Sequence, residues 1–147
     1  MNELTFLPAV VMAERIRKKE FSPVELVDAH LAQIEELNPE LNAFVEVDAK
    51  GARPAAHEAE IAVLQGKKIG PLHGVPVSIK SSFEVAGLRC ESGTRLRAGV
   101  VPMQDAPLVA RLREAGAIVL GTTNTPELLM AWETDNLLYG RSNSPWD

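Results

Sequence analysis

Lys80 is the side chain in this sequence best placed to do chemistry. It ends a run in which Val75, Val77 and Ile79 alternate with Pro76, Ser78 and Lys80. That two-residue period is the mark of a strand with one apolar face, and Pro76 suits the strand's beginning. Lys80 then shares its side of the strand with Ser78. It falls at the strand's carboxyl end, where open α/β sheets place their sites. A lysine held there among apolar walls loses hydration, which favours the neutral amine and makes it a usable base. The same spacing also describes an exposed lysine ending a strand at a sheet edge, and alternation alone does not separate the two.

Other candidates carry less. Cys90 has only Arg89 as a cationic neighbour along the chain, too little to activate a thiol. His30, His57 and His73 are far apart and lack metal-ligand spacing. His30 lies beside an apolar helical stripe, and His73 suits a loop-ordering hydrogen bond. Glu35-Glu36 and Glu58-Ala59-Glu60 read as solvated helix faces. The stretch from Gly87 to Thr94 lacks the Gly-Lys-Ser/Thr ending of a phosphate loop.

The elements that would position Lys80 are legible on both sides of it. Ser22-Pro23-Val24-Glu25 starts a helix with a cap, a proline in the first helical position and a capping box. Val24, Val27, Leu31, Ile34 and Leu37 continue it as one stripe, and Asn38-Pro39 is expected to end it. A short strand over Ala43 to Val47 follows. The next helix is expected from about Ala52 to Gln65, with Pro54 in its first turn and Gly66 as its stop. Its small residues Ala52, Ala55, Ala59 and Ala62 allow a close neighbour. Asp105 is expected to cap a helix carrying Leu108, Val109, Leu112 and Ala115, closed by Gly116. Ala117-Ile118-Val119-Leu120 reads as a strand buried on both faces. Thr122 to Glu127 then turns into another short helix. Strands alternating with helices imply an α/β layered fold with a largely parallel sheet.

Composition bounds the function. The 147 residues suit one domain; 46% are hydrophobic and 24% charged, as in ordinary globular proteins. A net charge of −5 argues against nucleic acid as a partner. The basic run Arg15-Ile16-Arg17-Lys18-Lys19 complements the end of a first helix. A single cysteine precludes an intramolecular disulfide and fits a reducing, cytoplasmic setting. No apolar run has the length of a membrane span.

Four blocks in order carry a resemblance. Gly74-Val75-Pro76-Val77-Ser78-Ile79-Lys80 resembles the Gly-(Ile/Val)-Pro-…-Lys block of the amidase-signature hydrolases. Cys90-Glu91-Ser92-Gly93-Thr94 is similar to the segment that follows it. Gly121-Thr122-Thr123-Asn124-Thr125-Pro126-Glu127 resembles the family's Gly-Lys-Thr-Asn-…-Glu block. Tyr139 to Asp147 resembles the approach to its Gly-Gly-Ser-Ser-Gly-Gly signature. Asn42-Ala43-Phe44-Val45 and the upstream helices fit as well, so the resemblance covers nearly the whole chain.

The resemblance implies a three-layer α/β/α domain around a mixed sheet, of which residues 1–147 would be the N-terminal part. It implies hydrolysis of a small-molecule amide by a serine–cis-serine–lysine triad without metal or organic cofactor. Lys80 would be the triad lysine, with both serines and the oxyanion loop beyond Asp147; the 147-residue chain alone is therefore expected to be inactive. Leu129 and Met130 would border the substrate cleft. An ordinary helix packing Leu128, Met130 and Trp132 is the competing expectation. Two residues depart from the pattern: Ser81 where an acid commonly follows the lysine, and Thr122 where lysine is common. Thr125-Pro126-Glu127 favours a stand-alone amidase over a protein like the hydrolytic component of a tRNA-dependent amidotransferase. A short non-catalytic product that binds a small amide or a partner chain is the alternative. Unpaired sheet edges would favour association, a homo-oligomer included.

Overall fold

Ser22 starts the longest helix as its sequence predicts. In the computed structural model, which describes residues 3–146, the Ser22 hydroxyl accepts from Glu25 N at 3.1 Å while the Glu25 carboxylate accepts from Ser22 N at 2.8 Å. Helix α1 (Ala9–Arg17) precedes it, and α2 covers Pro23–Leu41. Pro39 lies inside the last turn instead of ending it. The helix instead closes at Asn42, whose left-handed conformation (φ 49°) turns the chain into the first strand. Asn38 supports that exit: its side-chain oxygen accepts from Ala43 N and Phe44 N at 2.9 and 2.7 Å.

Strand β1 (Phe44–Val47) leads directly into α3 (Ala49–Leu64). The Asp48 carboxylate caps α3 by accepting from Gly51 N, so the helix begins three residues before Ala52 and Pro54 lies beyond its first turn. Strand β2 (Pro76–Lys80), helix α4 (Pro107–Glu114) and strand β3 (Ile118–Thr123) complete the regular elements, with single 3-10 turns at Glu3–Phe6, Arg95–Arg97 and Glu127–Leu129. Asp105 does not cap α4; the position before the helix is Ala106, and no side chain caps it. The Asp105 carboxylate is drawn instead to Ala86 N at 2.8 Å and to Arg113 at 2.9 Å, which ties the preceding loop across to the helix.

The sheet order is β1-β3-β2, with β1 antiparallel and β2 parallel to the central strand. Side-chain alternation along β3 divides the interior. Ile118 and Leu120 join Val27 and Leu31 of α2 and Ala52, Ala56 and Ala59 of α3. Val119 faces the other way, with Ile79, Val85, Leu88 and Val109 of α4. Helices on both faces of a mixed sheet make the three-layer α/β/α arrangement, and β3 is buried throughout except for its last residue. The alanines of α3 let it lie close against α2, because no longer side chain stands between the two.

Thr122 is fully buried, yet its hydroxyl has no hydrogen-bond partner among the described residues. An unsatisfied buried hydroxyl is destabilising, whereas valine fills the same volume and favours strands. Thr122→Val should therefore stabilise the protein by about 1 kcal/mol in urea denaturation. A lowered midpoint would mean that the hydroxyl has a partner in solution.

Candidate active site

Lys80 is the last residue of β2, so its amine leaves the sheet at the carboxyl end of a strand that runs parallel to the buried centre. Burial alternates along this segment: Ser78 is exposed, Ile79 buried, Lys80 exposed and Ser81 buried. Ile79 and Ser81 take the packed side, and Lys80 takes the other. Among the described residues the Lys80 side chain is exposed and makes no ion pair.

The backbone around Lys80 is held on two sides. Thr123, the ladder partner of Lys80, accepts from Ser81 N at 3.0 Å. Ser81 in turn accepts from Ser92 N at 3.3 Å, which places the Cys90–Thr94 block beside the lysine's strand end. Thr94 is buried and donates its hydroxyl to the Glu127 carboxylate at 2.7 Å. The second and third sequence blocks therefore meet, although 33 residues separate those two side chains. Leu128 N donates to Ser92 O at 2.9 Å and closes the same junction.

Leu129 and Met130 follow that junction. Leu128 and Leu129 both have positive φ, 48° and 65°, a region that branched apolar residues rarely occupy. The chain hooks outward there, leaving Met130 83% and Trp132 101% exposed. An ordinary helix packing Leu128, Met130 and Trp132 is thereby overturned, because the 3-10 turn ends at Leu129 and those side chains face solvent. Leu129, on the same hook, is 48% exposed.

Sequence reading missed a polar clamp beneath the site. Asn136 donates to Asn124 Oδ1 at 2.8 Å and to Thr125 O at 2.9 Å; Asn124 donates to Gly140 O at 3.1 Å. Asn42 donates to Tyr139 O at 2.6 Å, and the Ser142 hydroxyl donates back to Asn42 O at 2.7 Å. The turn-rich tail is thus fastened to the exit of α2 and the end of β3. Its asparagines and serines signal turns in sequence, but nothing local reveals their distant partners. Asp147, the final residue of the tail motif, lies outside the described residues together with Met1 and Asn2.

The remaining candidates take structural roles. His30 Nδ1 lies 2.8 Å from Leu26 O within α2, and His73 Nε2 lies 2.9 Å from Ala59 O, the loop-ordering bond its position suggests. Burial pushes the Cys90 thiol above its ordinary range and outweighs the pull of a nearby cation. That cation is Arg97, not Arg89; Arg89 turns to Glu46 and to the Tyr139 ring. No group of His, Cys, Asp and Glu among the described residues is arranged to hold a metal ion. No described helix is long and apolar enough to cross a membrane.

Lys80 thus stands at the carboxyl end of a strand, beside two sequence-distant loops, in a three-layer α/β/α domain. The amidase family model matches residues 25–147, and the chain belongs to that family. It is similar to a component of the glutamyl-tRNA(Gln) amidotransferase of Acidothermus cellulolyticus, 37% identical over 147 residues, which are 100% of this chain and 29% of that protein. It is also similar to an indoleacetamide hydrolase of Bradyrhizobium diazoefficiens, 42% identical over 95% of this chain and 26% of that protein. Among solved structures, the native peptide amidase of Stenotrophomonas maltophilia superposes with a TM-score of 0.89 and 29% identity, covering 99% of this chain and 31% of that one. The chain thus spans less than a third of the length of these relatives.

Proposed function

We propose that residues 1–147 are the N-terminal part of one amidase domain that hydrolyses a small-molecule amide, with Lys80 as the base of a serine–cis-serine–lysine triad. The observation that supports this reading is the position of Lys80 at the carboxyl end of β2, tied through Ser81 and Thr123 to the buried strand. In this reading the lysine amine accepts the proton of a bridging serine. That serine deprotonates the nucleophilic serine as its oxygen attacks the amide carbon. The C–N bond then breaks, the amine leaves with a proton, and water later releases the acid. Both serines come from sequence following Asp147. Leu129 and Met130 border the cleft as an apolar rim. The single thiol is consistent with a cytoplasmic enzyme.

The likeness to an amidotransferase component favours a second reading, in which the hydrolysed amide supplies ammonia to a partner's substrate. One comparison decides between them. The 147-residue chain and a longer chain continuing through the serine-containing segments are assayed for ammonia or acid release from small amides. The hydrolase reading expects an inert short chain and a longer chain active alone. Activity that appears only with added partner proteins would select the amidotransferase reading, and an active short chain would overturn both.

A further inference from the structure

Strand β3 does not pair regularly with β2, and its irregularity decides which residue stands beside Lys80. Val77 pairs with Val119, but Ser78 pairs with Gly121, so Leu120 is an extra residue with no partner on β2. The bulge moves every later rung by one. Ile79 consequently meets Thr122, and Lys80 meets Thr123. In a parallel ladder the paired residues project to the same face of the sheet. Thr122 therefore shares a face with Ile79 and is fully buried, whereas Thr123 is half-buried on the same face as Lys80. With a regular strand, Lys80 would stand beside Thr122 and the Thr123 hydroxyl would pass to the other face. Bulges next to active sites commonly serve to re-aim a side chain in this way.

We infer that Thr123 is a positioning residue for Lys80, its hydroxyl oxygen accepting a hydrogen bond from the lysine amine when the amine acts as base. The inference rests on the triad reading of Lys80 given above. A lysine side chain has four rotatable bonds and its amine offers several donors, so an exposed one samples many directions. A base must aim its lone pair at the proton it removes, and a fixed acceptor one strand away takes up an N–H and leaves the lone pair directed. Thr123 is well suited to be that acceptor. Its backbone is fixed from both sides, paired to Phe44 of β1 and to Lys80 of β2. Its hydroxyl has no hydrogen bond to other described residues, so it is not committed to structure.

The test uses the complete enzyme containing these residues, with Thr123→Val, Thr123→Ser and Lys80→Ala assayed on one amide. Valine keeps the β-branched shape and removes only the hydroxyl. Thr123→Val is expected to lower kcat by about 10- to 100-fold with KM within about twofold, the pattern of an interaction made at the chemical step. Thr123→Ser restores the acceptor and should return kcat to within about threefold of the parent. Equal kcat in the valine variant and the parent overturns the inference, as does an equal loss in the serine variant. The reading beneath it fails separately: full activity in Lys80→Ala removes the triad assignment itself, whereas a dead Lys80→Ala beside a normal Thr123→Val removes only the role of Thr123.

Discussion

On the proposed triad reading, Lys80→Ala in the longer chain should lower amide hydrolysis on the order of 1,000-fold or more, the usual range for removing a general base that works through a hydroxyl nucleophile. The folded state should hardly notice. Lys80 is exposed at the end of β2, makes no ion pair among the described residues, and contributes no side chain to the apolar clusters. Truncating it leaves the backbone bonds around Ser81 and Thr123 intact. Urea denaturation of the variant should therefore match the parent within about 0.5 kcal/mol, as for a surface substitution. Lys80→Arg separates base from charge. Arginine keeps a cation at the same place but does not surrender its proton in a protein, so it should be as inactive as alanine. An arginine variant with near-parental turnover would show that the site needs positive charge, not a proton acceptor. Turnover retained by alanine would remove Lys80 from the chemistry altogether.

The order of elements was open to reading because each rests on local chemistry. The capping box of Ser22 and Glu25, the alternation ending at Lys80 and the apolar run into Leu120 all report contacts made within a few residues. Where the structure departs from expectation, a competing partner intervenes, distant for Asp105 and local for Pro39. Asp105 has the right side chain to cap α4, yet Ala86 N and Arg113 compete for its carboxylate and win. Pro39 should have broken α2, but at the last turn only one helical donor is lost, and Asn38 secures the exit through Ala43 and Phe44. The strand that ends at Lys80 was legible in its own alternation. The pairing of Lys80 with Thr123 was not, because the bulge at Leu120 belongs to the pairing of two strands and leaves no trace in either strand's own pattern. The Asn124–Asn136–Asn42 clamp is hidden for the same reason: the bond from Asn42 to Tyr139 alone spans 97 residues.

Gly121→Ala should be among the most destabilising single-atom additions to this chain, because two independent requirements meet at Gly121. Its φ is +154°, a conformation L side chains rarely adopt. A Cβ there would also run into the Glu46 carbonyl oxygen and lie 2.9 Å from Val47 Cα, both backbone atoms of β1. Neither can swing aside as a side-chain tip could. Alanine must therefore strain β3 or push β1 away from it, at a cost of about 3 kcal/mol. Gly87→Ala supplies the comparison. Its φ of +82° is equally unusual, but an added Cβ would meet nothing within 4 Å, so only the conformational part remains, about 1 kcal/mol. Urea denaturation of the two variants side by side reads the difference; equal losses would mean that close approach of β1 is not what demands glycine. The larger loss also has a functional edge. Gly121 is the residue that resumes pairing after the bulge, and β1 is the strand that holds Thr123 from the far side. Displacing β1 loosens the rung on which Lys80 stands. Activity in Gly121→Ala should therefore fall even at temperatures where the variant is still folded, while Gly87→Ala stays close to the parent.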